Sequence, residues 1–536
     1  MPAFAIRFRQ GLKLPPTGWA LAGMLALYVL AGLFGRDPWK GEDAIHIAVT
    51  WNILANNDWL SLELAGRIFN KPPLYYWSAA LTGKLLGWWL PLHDAIRLAS
   101  GLWVALALAA LYYAGRELYG QERAAASPLL LAGSAGLILN AHEAQPLLVA
   151  LAAYCCCLAA ITVFTRKPRL AGIYYGLSLA GCLLGAGIAP TLPLLIAGPL
   201  SILVLHDDRR AWRACLLGWL IFVLLALPWP LILWWLEPAR FHGWLRAEGL
   251  QLVGGIAPHE AMADYLSLLP TLAFPTFFVA GWALWSHRRQ LRSRPLLLPI
   301  AMFGLTLLML VVAYRPGELP GLLLLPPLAL LATPGALNLR RGAASAWNWF
   351  AMTAFSFFVA LVWVGWSALH LGWPEKLSQR AFALRPGFVA QLDWLALCAA
   401  LAGTLWWLWL IATTPRSPYR SLLHWSLGFS VFWLLASLLW LPWFDYGRSY
   451  RSVAESVARK LPSGFGCLAE KNLGSTQRAS FAYFIGVETV PLSRAQKCDW
   501  LLVQGSGKPQ ESEGWQKVWE GGRPGNRRER FHLYRR

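Results

Sequence analysis

Residues 41–77, GEDAIHIAVTWNILANNDWLSLELAGRIFNKPPLYYW, form a polar, acid-bearing segment that interrupts a strongly apolar chain. Two adjacent carboxylates, Glu42 and Asp43, open a stretch whose apolar residues have helical spacing. Lys71, two prolines and a run of aromatic residues close it. If the segment lies outside the membrane, it sets carboxylates and a lysine beside a lipid surface, an arrangement that suits chemistry on a lipid-linked anion.

The composition indicates a polytopic membrane protein. Of 536 residues, 57% are hydrophobic and only 14% are charged, and the mean hydropathy is +0.45. The 32 tryptophans suit the same class, because indole rings favour the membrane–water interface. The net charge of +20 comes from short basic runs between apolar segments. We interpret these runs first as topology signals and second as contacts to membrane lipids, and we expect no nucleic acid partner.

A membrane-spanning helix needs about 20 mostly apolar residues. Residues 77–92 contain Lys84 and end at a proline, so we expect this segment to lie at the membrane interface. No cleavable signal peptide is expected, because the first apolar segment is long enough to span. The length criterion of about 20 apolar residues predicts thirteen spans. They begin near residues 17, 97, 126, 145, 171, 190, 213, 266, 295, 319, 348, 391 and 422.

The placement of basic residues tests this count. With the N-terminus inside, every predicted inside loop is basic, whereas the short outside connections near residues 142 and 188 carry no Lys or Arg. A further span at residues 77–92 would put those basic loops outside. The pattern therefore predicts a transmembrane domain over residues 1–444, with outside loops at 36–96 and 235–265, and an outside domain over 445–536.

The outside domain at the end of the chain lacks long apolar runs and is typical of a small α/β module. We expect its arginine-rich end, Arg527, Arg528, Arg530, Arg535 and Arg536, to face solvent or lipid headgroups. The predicted helices cover residues 452–461 and about 477–485, and the predicted strands cover 466–470, 499–503, 515–519 and 530–534.

The eight cysteines fall into two groups. Cys467 and Cys498 are the only pair in the C-terminal domain, and they are disulfide candidates if that domain lies in an oxidising compartment. The others lie in apolar segments, where small buried hydrophobes are expected, and none has metal-ligand spacing with histidine. They are Cys155, Cys156, Cys157, Cys182, Cys215 and Cys398.

The first outside loop carries the strongest candidates for chemistry. Glu42 and Asp43 could act as general base or hold a divalent metal, or they could simply complement the dipole at a helix start. Lys71 stands before two prolines that fix the backbone, so it could pair with a phosphate or anchor the chain at the interface.

A second polar cluster, His142 and Glu143, lies at the start of a predicted span. It is either a second acidic site or a polar helix cap before Pro146. In the later outside loop, the residues Arg240, His242, His259 and Glu260 match no metal-site spacing. The predicted spans carry almost no internal charge, which argues against an ion-coupled transporter.

Several motifs together resemble a known family. After the acidic pair come Asp58-Trp59, then Lys71 with two prolines, and later Arg97-Leu98, Arg240-Phe241 and Leu319-Pro320-Gly321. This pattern resembles the bacterial GT-C glycosyltransferases related to aminoarabinose lipid A transferase and to protein O-mannosyltransferases. The resemblance implies a GT-C fold of about thirteen transmembrane helices in the bacterial inner membrane, with a periplasmic C-terminal α/β domain.

Members of that family transfer a sugar from a polyprenyl phosphate donor, with inversion, to an acceptor at the periplasmic face. The resemblance thus implies an undecaprenyl phosphate donor and a lipid A, glycan or protein acceptor. It assigns Glu42 and Asp43 to catalysis and Lys71 to the donor phosphate, with Arg315 and Arg97 as further candidate cations. The cofactor stays open, and Glu42 and Asp43 would be the ligands of any metal.

The sequence departs from the family pattern at several positions. The acidic pair is reversed, Ile45 replaces an arginine, and Ala144 replaces a second aspartate, although Glu143 is adjacent. Ala186 and Glu318 stand where the family has lysines. A catalytically inactive paralogue that binds lipid or a partner subunit is therefore the alternative, and a lipid transporter or flippase is third. An enzyme predicts that Glu42, Asp43 and Lys71 converge beside a replacement cation.

Overall fold

The computed structural model describes residues 18–206, 208–253, 257–495, 498–505, 514–526 and 528–536. The predicted inside position of the N-terminus depends on Arg7, Arg9 and Lys13, which lie outside these residues. The described chain is mostly helical up to about residue 448 and then folds into a small α/β domain. The predicted boundary near residue 445 falls within the helix that joins the two parts.

The membrane part is built from helices, with one short hairpin in the first outside loop. In chain order its elements are α1 (Gly18–Leu30), α2 (Gly41–Asn56), β1 (Glu63–Leu64), β2 (Arg67–Ile68), α3 (Leu74–Leu86), α4 (Leu92–Tyr119), α5 (Ala126–Ala132), α6 (Ala135–Asn140), α7 (Leu147–Thr162), α8 (Pro168–Ala186), α9 (Ile188–Ser201), α10 (Arg209–Ala226), α11 (Pro228–Leu236), α12 (Pro238–Val253), α13 (Pro258–Leu272), α14 (Thr276–Ser286), α15 (Arg294–Ala313), α16 (Glu318–Gly321), α17 (Leu325–Leu337), α18 (Arg341–His370), α19 (Glu375–Leu384), α20 (Trp394–Thr413) and α21 (Arg420–Leu439).

All thirteen predicted spans coincide with helices, but they differ in length. Among the described residues, eight helical stretches are long and apolar enough to cross a membrane, and the bent pair α13 and α14 makes a ninth if it is one span. Three others, α1, α7 and the stretch Ile188–Val204, are shorter apolar helices. The remaining one is broken between α5 and α6, where Ser134 has an extended backbone. A hydropathy window measures how apolar a segment is, but it does not detect a break between two helices.

Close helix packing supports the membrane fold. An added Cβ at Gly172 would lie 2.7 Å from the carbonyl oxygen of Ala214, and one at Gly176 would lie 2.6 Å from that of Gly218. Helices α8 and α10 therefore approach through small residues spaced four apart, as membrane helices commonly do. Helix α3 has only 13 residues and is followed by the exposed Trp88 and Trp89, which agrees with the interfacial position predicted for this segment.

The C-terminal part contains three helices and one mixed sheet. Its elements are α22 (Leu441–Arg448), α23 (Arg451–Ala458), β3 (Leu468–Lys471), α24 (Ser475–Ile485), β4 (Thr489–Pro491), β5 (Trp500–Gln504), β6 (Gln516–Gly521) and β7 (Phe531–Arg535). The strand order is β4-β3-β5-β7-β6, with β3 parallel to β4 and β5, and β7 antiparallel to β5 and β6. The sequence predicted these elements except α22 and the three-residue β4, which ends at a proline. The structure also contains the predicted Cys467–Cys498 disulfide, which joins the starts of β3 and β5.

The C-terminal domain packs on the first outside loop. Helix α24 lies against α2, and the hydroxyl of Tyr483 is 3.0 Å from Nδ1 of His93. Arg451 donates from Nε to the Asp37 carboxylate at 2.9 Å. Arg67 of β2 pairs with Glu470 of β3. The two parts that the charge pattern assigns to the outside are therefore in contact with each other.

One carboxyl group in this contact is electrostatically unfavourable when ionised. Oδ1 of Asp445 in α22 accepts a hydrogen bond from the backbone N–H of Asp37 at 2.9 Å. Burial, followed by the nearby charge of Asp37, raises the pKa of Asp445 to about 7. Since the folded state raises this pKa, the contribution of Asp445 to stability is lost as the pH rises through that value.

Replacing Asp445 with Asn should therefore stabilise the protein at alkaline pH. Asn keeps an oxygen for the Asp37 N–H but carries no charge. The gain in melting temperature of the purified protein in detergent should be small at about pH 4, grow up to about pH 7, and then level off. Glu455→Gln, at an exposed acid of α23, is the matched control. A gain that is equal at pH 4 and pH 8 would contradict the assignment.

Candidate active site

Asp43 and Arg97 form a buried ion pair at the base of the first outside loop. Arg97 donates from Nη2 to Oδ2 of Asp43 at 2.7 Å and from Nε to Oδ1 at 3.1 Å. Both residues are 0% exposed. The backbone N–H of Ala144 also donates to Oδ1, at 2.7 Å. The Asp43 carboxylate is thus enclosed by donors from two other parts of the chain.

The pair belongs to a larger network that joins the loop to α4. Nη1 of Arg97 donates to the carbonyl oxygen of Arg36 at 2.7 Å and to Oδ1 of Asp94 at 3.1 Å. Asp94 accepts the backbone N–H of Gly35 at 2.9 Å, and Arg36 donates to the carbonyl oxygen of His142 at 2.7 Å. These bonds fix the start of the loop, the beginning of α4 and the turn after α6 in one arrangement.

The environment keeps Asp43 ionised and inaccessible. Burial by itself would raise the pKa of Asp43, but the charges of Arg97 and Arg36 and the hydrogen bonds lower it to about 2. Neither Asp43 nor Arg97 has an exposed surface for a substrate. In this structure both side chains are buried and bound to each other, an arrangement that suits support of the loop rather than the catalytic role expected for Asp43 or the phosphate contact expected for Arg97.

Glu42 points the other way and is the accessible member of the acidic pair. Its side chain is 54% exposed, and Oε2 is 3.2 Å from Nε2 of His46 one turn along α2. Nδ1 of His46 is 2.8 Å from the hydroxyl of the buried Tyr76. A phenol that donates to Nδ1 leaves the imidazole proton on Nε2, where it is donated to Glu42. The hydrogen bond from His46, together with the charge of Lys71, lowers the pKa of Glu42.

Lys71 is exposed, and its charge acts on two carboxylates. Its charge lowers the pKa of Glu42 and opposes the rise that burial causes in the pKa of Glu248. No acidic side chain lies within ion-pair distance of the Lys71 ammonium group among the described residues. The two prolines after it, Pro72 and Pro73, are buried, so its backbone is fixed while its side chain stays free.

Glu248 comes from α12 in the later outside loop. It is 4% exposed, and Oε2 accepts the backbone N–H of Ile188, the first residue of α9, at 2.7 Å. Gly187, the residue before Ile188, has φ +99°, and an added Cβ there would lie 2.4 Å from the Glu248 carboxylate. Only glycine permits this approach. A carboxylate therefore occupies the start of α9, next to Ala186, where the family pattern has a lysine.

Aromatic residues and a paired arginine complete the cleft beside Lys71. Arg240 donates to Glu63 of β1 and pairs with Glu237, each at 2.5 Å, so its charge is neutralised within the two loops. The rings of Trp229 and Trp244 meet edge to face at 5.2 Å. The site predicted from the first loop alone is thus built where two outside loops meet.

The other predicted residues lie elsewhere. Arg315 is exposed in the loop after α15, where its backbone oxygen accepts the hydroxyl of Tyr265 at 3.2 Å, and Glu318 is exposed at the start of α16. Glu143 pairs with Lys40, and its pKa is raised chiefly by burial. His142 is buried, which lowers its pKa to about 4, and both ring nitrogens face backbone carbonyls. Glu143 and His142 therefore support the loop in this structure.

No three side chains of His, Cys, Asp or Glu in the described part of the chain lie together in a way that could hold a metal ion. Glu42 and Asp43, the ligands expected for any metal, lie on different faces of α2, and both oxygens of Asp43 accept hydrogen bonds. His242, His259 and Glu260 are exposed on α12 and α13.

Comparison with solved structures identifies the class of fold. Over 97% of this chain and 98% of the other, the structure matches the crystal structure of ArnT from Cupriavidus metallidurans bound to undecaprenyl phosphate, with a TM-score of 0.70 and 17% sequence identity. The apo form of the same protein matches with a TM-score of 0.68 and 16% identity. The predicted fold is thereby confirmed: the chain is a GT-C membrane protein with a C-terminal α/β domain.

Sequence comparisons confirm the resemblance from which that fold was expected. Residues 70–235 match the family model described as dolichyl-phosphate-mannose-protein mannosyltransferase. Undecaprenyl phosphate-alpha-4-amino-4-deoxy-L-arabinose arabinosyl transferase 1 of Pseudomonas fluorescens is 28% identical over 58% of this chain and 59% of its own length. The protein of the same name from Sodalis glossinidius is 30% identical over 49% of each chain. The chain therefore covers about half to three fifths of the length of these relatives.

The buried pair yields a stability prediction. Arg97→Met should destabilise the fold by about 3–5 kcal/mol, because it leaves the Asp43 carboxylate buried without its partner. Combining it with Asp43→Asn should recover part of the loss, since no buried charge then remains unpaired. Thermal unfolding in detergent would measure both, with Lys71→Met as an exposed control that leaves the melting temperature unchanged. If Arg97→Met alone melts like the unmodified protein, the ion pair does not support the fold.

Proposed function

We propose that this chain is a bacterial inner-membrane glycosyltransferase that transfers a sugar from an undecaprenyl phosphate donor to a lipid A, glycan or protein acceptor. In this proposal its N-terminus is cytoplasmic and its C-terminal domain periplasmic, as the charge pattern indicates. The observation that supports it most directly is an exposed carboxylate, Glu42, within the electrostatic reach of an exposed lysine, Lys71. The GT-C fold and the names of the relatives support the same reaction class.

In the proposed reaction, Glu42 accepts the proton of the acceptor hydroxyl or amine. The acceptor atom then attacks the anomeric carbon from the side opposite the phosphate. A new glycosidic bond forms, and the bond between the anomeric carbon and the phosphate oxygen breaks, with the electron pair leaving on the phosphate. Lys71 stabilises the charge that develops there, and the exposed Arg315 is a second candidate cation.

The other site residues act through Glu42 in this mechanism. Asp43 and Arg97 hold α2 so that Glu42 faces outward, and His46 orients the Glu42 carboxylate. Because its pKa is lowered, Glu42 is ionised throughout the neutral range and is ready to accept a proton. The sugar carried by the donors of the relatives, 4-amino-4-deoxy-L-arabinose, is the first to test.

The alternative, a non-catalytic paralogue that binds lipid or a partner subunit, also has a specific observation in its favour. Lys71 faces the carboxylates of Glu42 and Glu248, and Glu248 stands beside the position where a family lysine is expected. A transporter would need a site at a helix break. The α13–α14 break is instead filled by bonds between Ser134 and Thr276, at 2.9 Å, and from Ala135 to the Phe274 carbonyl.

Transfer of radiolabelled sugar from undecaprenyl phosphate donors to endogenous lipid and protein in membranes tests the proposal. Glu42→Gln should reduce transfer by about 100-fold or more, because the general base is lost. Lys71→Met should reduce it by about tenfold or more through loss of phosphate stabilisation. Lys84→Met, an exposed lysine of α3, should leave it unchanged. Absence of transfer by folded, unmodified protein across a broad donor panel would favour the paralogue.

A pH profile tests the role of His46. His46→Ala removes the hydrogen bond that lowers the pKa of Glu42, so the acid limb of the transfer rate should move to higher pH. His46→Gln keeps a donor in reach of the carboxylate and should restore part of the shift. If both variants keep the profile of the unmodified protein and lose only total activity, His46 supports the fold and does not tune Glu42.

A further inference from the structure

A second polar cavity lies apart from the Glu42 and Lys71 site. It has a volume of about 420 Å³, which falls in the usual range for ligand pockets. It opens where the segment before α2, the turn after α19, the end of α22 and the turn between β6 and β7 come together. Its lining residues are Trp39, Lys40, Arg385, Gly447, Arg448, Arg523, Gly525 and Asn526.

The lining is strongly cationic. Four of its eight residues are Lys or Arg, and none is acidic. Lys40 pairs with Glu143, and Arg523 pairs with Glu529. In the ranges that the structure covers, Arg385 and Arg448 have no acidic partner within ion-pair distance. Burial, followed by the charges of Arg448 and Arg523, lowers the pKa of Arg385. Two unneutralised arginines held side by side repel each other, and an anion between them would remove that cost.

The fold holds Arg385 in a defined place. An added Cβ at Gly447 would lie 1.7 Å from Nε of Arg385, so the guanidinium rests directly against the backbone of α22. At Gly525, where φ is +74°, a Cβ would lie 2.0 Å from the carbonyl oxygen of Leu384. Both glycines are needed for the approach. Such close backbone contact distinguishes Arg385 from a solvated surface arginine.

The cavity also offers donors without acceptors. The Arg448 guanidinium stacks on the Trp39 ring at 4.9 Å, which fixes it at the rim. Trp39 Nε1 and Arg385 Nε are buried, and the described residues supply no acceptor for either. Asn526 adds an amide to the lining. Guanidinium groups and indole N–H groups together match the oxygens of a phosphate.

The surroundings place the cavity at the level of lipid headgroups. The chain between α18 and α20 exposes large apolar side chains in the same turn region that carries Arg385. Trp373 is 67% exposed, Val389 is 74% exposed and Trp394 is 68% exposed. Exposed tryptophans at the ends of spanning helices mark the membrane interface. A phosphate attached to a hydrocarbon chain could therefore enter the cavity while its chain stays in the membrane.

We propose that this cavity binds the phosphate group of a membrane amphiphile, with Arg385 and Arg448 as the main contacts. The site is distinct from the one that contains Glu42 and Lys71, and the proposal does not depend on the transfer reaction. Binding requires no covalent step. It supplies the negative charge that these two arginines lack in the described structure and that the proposed catalysis does not provide.

Binding of dodecyl phosphate to the purified full chain in a neutral detergent tests the proposal. The measurement uses Lys71→Met protein throughout, so that a phosphate contact at the first site does not contribute. In this background, Arg448→Met and Arg385→Met should each weaken binding by about tenfold or more, as expected for loss of a charged hydrogen bond. Arg459→Met, at an exposed arginine just after α23, is the matched control and should change nothing. Arg448 is exposed, so its variant keeps the test valid if Arg385→Met fails to fold.

The outcomes separate the possible sources of the phosphate. Dodecyl phosphate binding that depends on Arg448 and far exceeds that of inorganic phosphate supports a membrane amphiphile. Equal affinity for inorganic phosphate overturns that assignment in favour of the free ion. If Lys71→Met alone abolishes the dodecyl phosphate binding that the unmodified protein shows, the second site is overturned. The same conclusion follows if neither arginine variant changes the binding. None of these results depends on whether the chain transfers a sugar.

Discussion

The buried ion pair between Asp43 and Arg97 is the constraint on which the outside part of the molecule depends. Two charges removed from water are tolerated only if every remaining donor and acceptor is satisfied. The chain meets that condition with the amide of Ala144, the carbonyl of Arg36 and the carboxylate of Asp94. Residues from three separate segments are thereby held together. Neighbouring residues of a helix point about 100° apart, and on α2 Asp43 faces the interior while Glu42 faces outward.

A second constraint comes from the way the two outside loops close on each other. Arg240 of the later loop pairs with Glu63 of the first, and Glu248 caps the start of α9. Among the residues that the structure describes, Lys71 has no ion-pair partner in either loop. The electrostatic field around Lys71 is therefore set by carboxylates from both loops, and a phosphate that arrives there competes with them. This balance is the physical reason why the departure at Ala186 bears on the proposed reaction.

The sequence was sufficient for features that depend on composition and order along the chain. The acidic pair, Lys71 with its prolines, the two cysteines that could form a disulfide and most strands of the tail could be read directly. Arg97 could not, because its partner lies 54 residues away in sequence and the pairing decides whether it faces a substrate or the interior. Glu248 had a weak signal: it stands four residues after the buried Trp244 and four before Leu252, an acid on an apolar helix stripe. His46 had no signal in the sequence, since only the fold shows that its ring contacts both Glu42 and Tyr76.

The distribution of arginines connects topology to ligand binding. The positive-inside rule explains the basic loops that the charge pattern assigns to the cytoplasmic side, but it predicts few cations on the other side. Arg385, Arg448 and Arg523 converge on the side that the charge pattern assigns to the outside, next to the C-terminal domain. The positive-inside rule therefore does not account for them, and in the described structure Arg385 and Arg448 have no acidic partner that would neutralise their charge. A lipid phosphate at the membrane surface would supply the opposite charge that these arginines lack. On this reasoning the chain uses its outer cations at two places, Lys71 for the proposed reaction and the arginine cavity for holding a lipid phosphate.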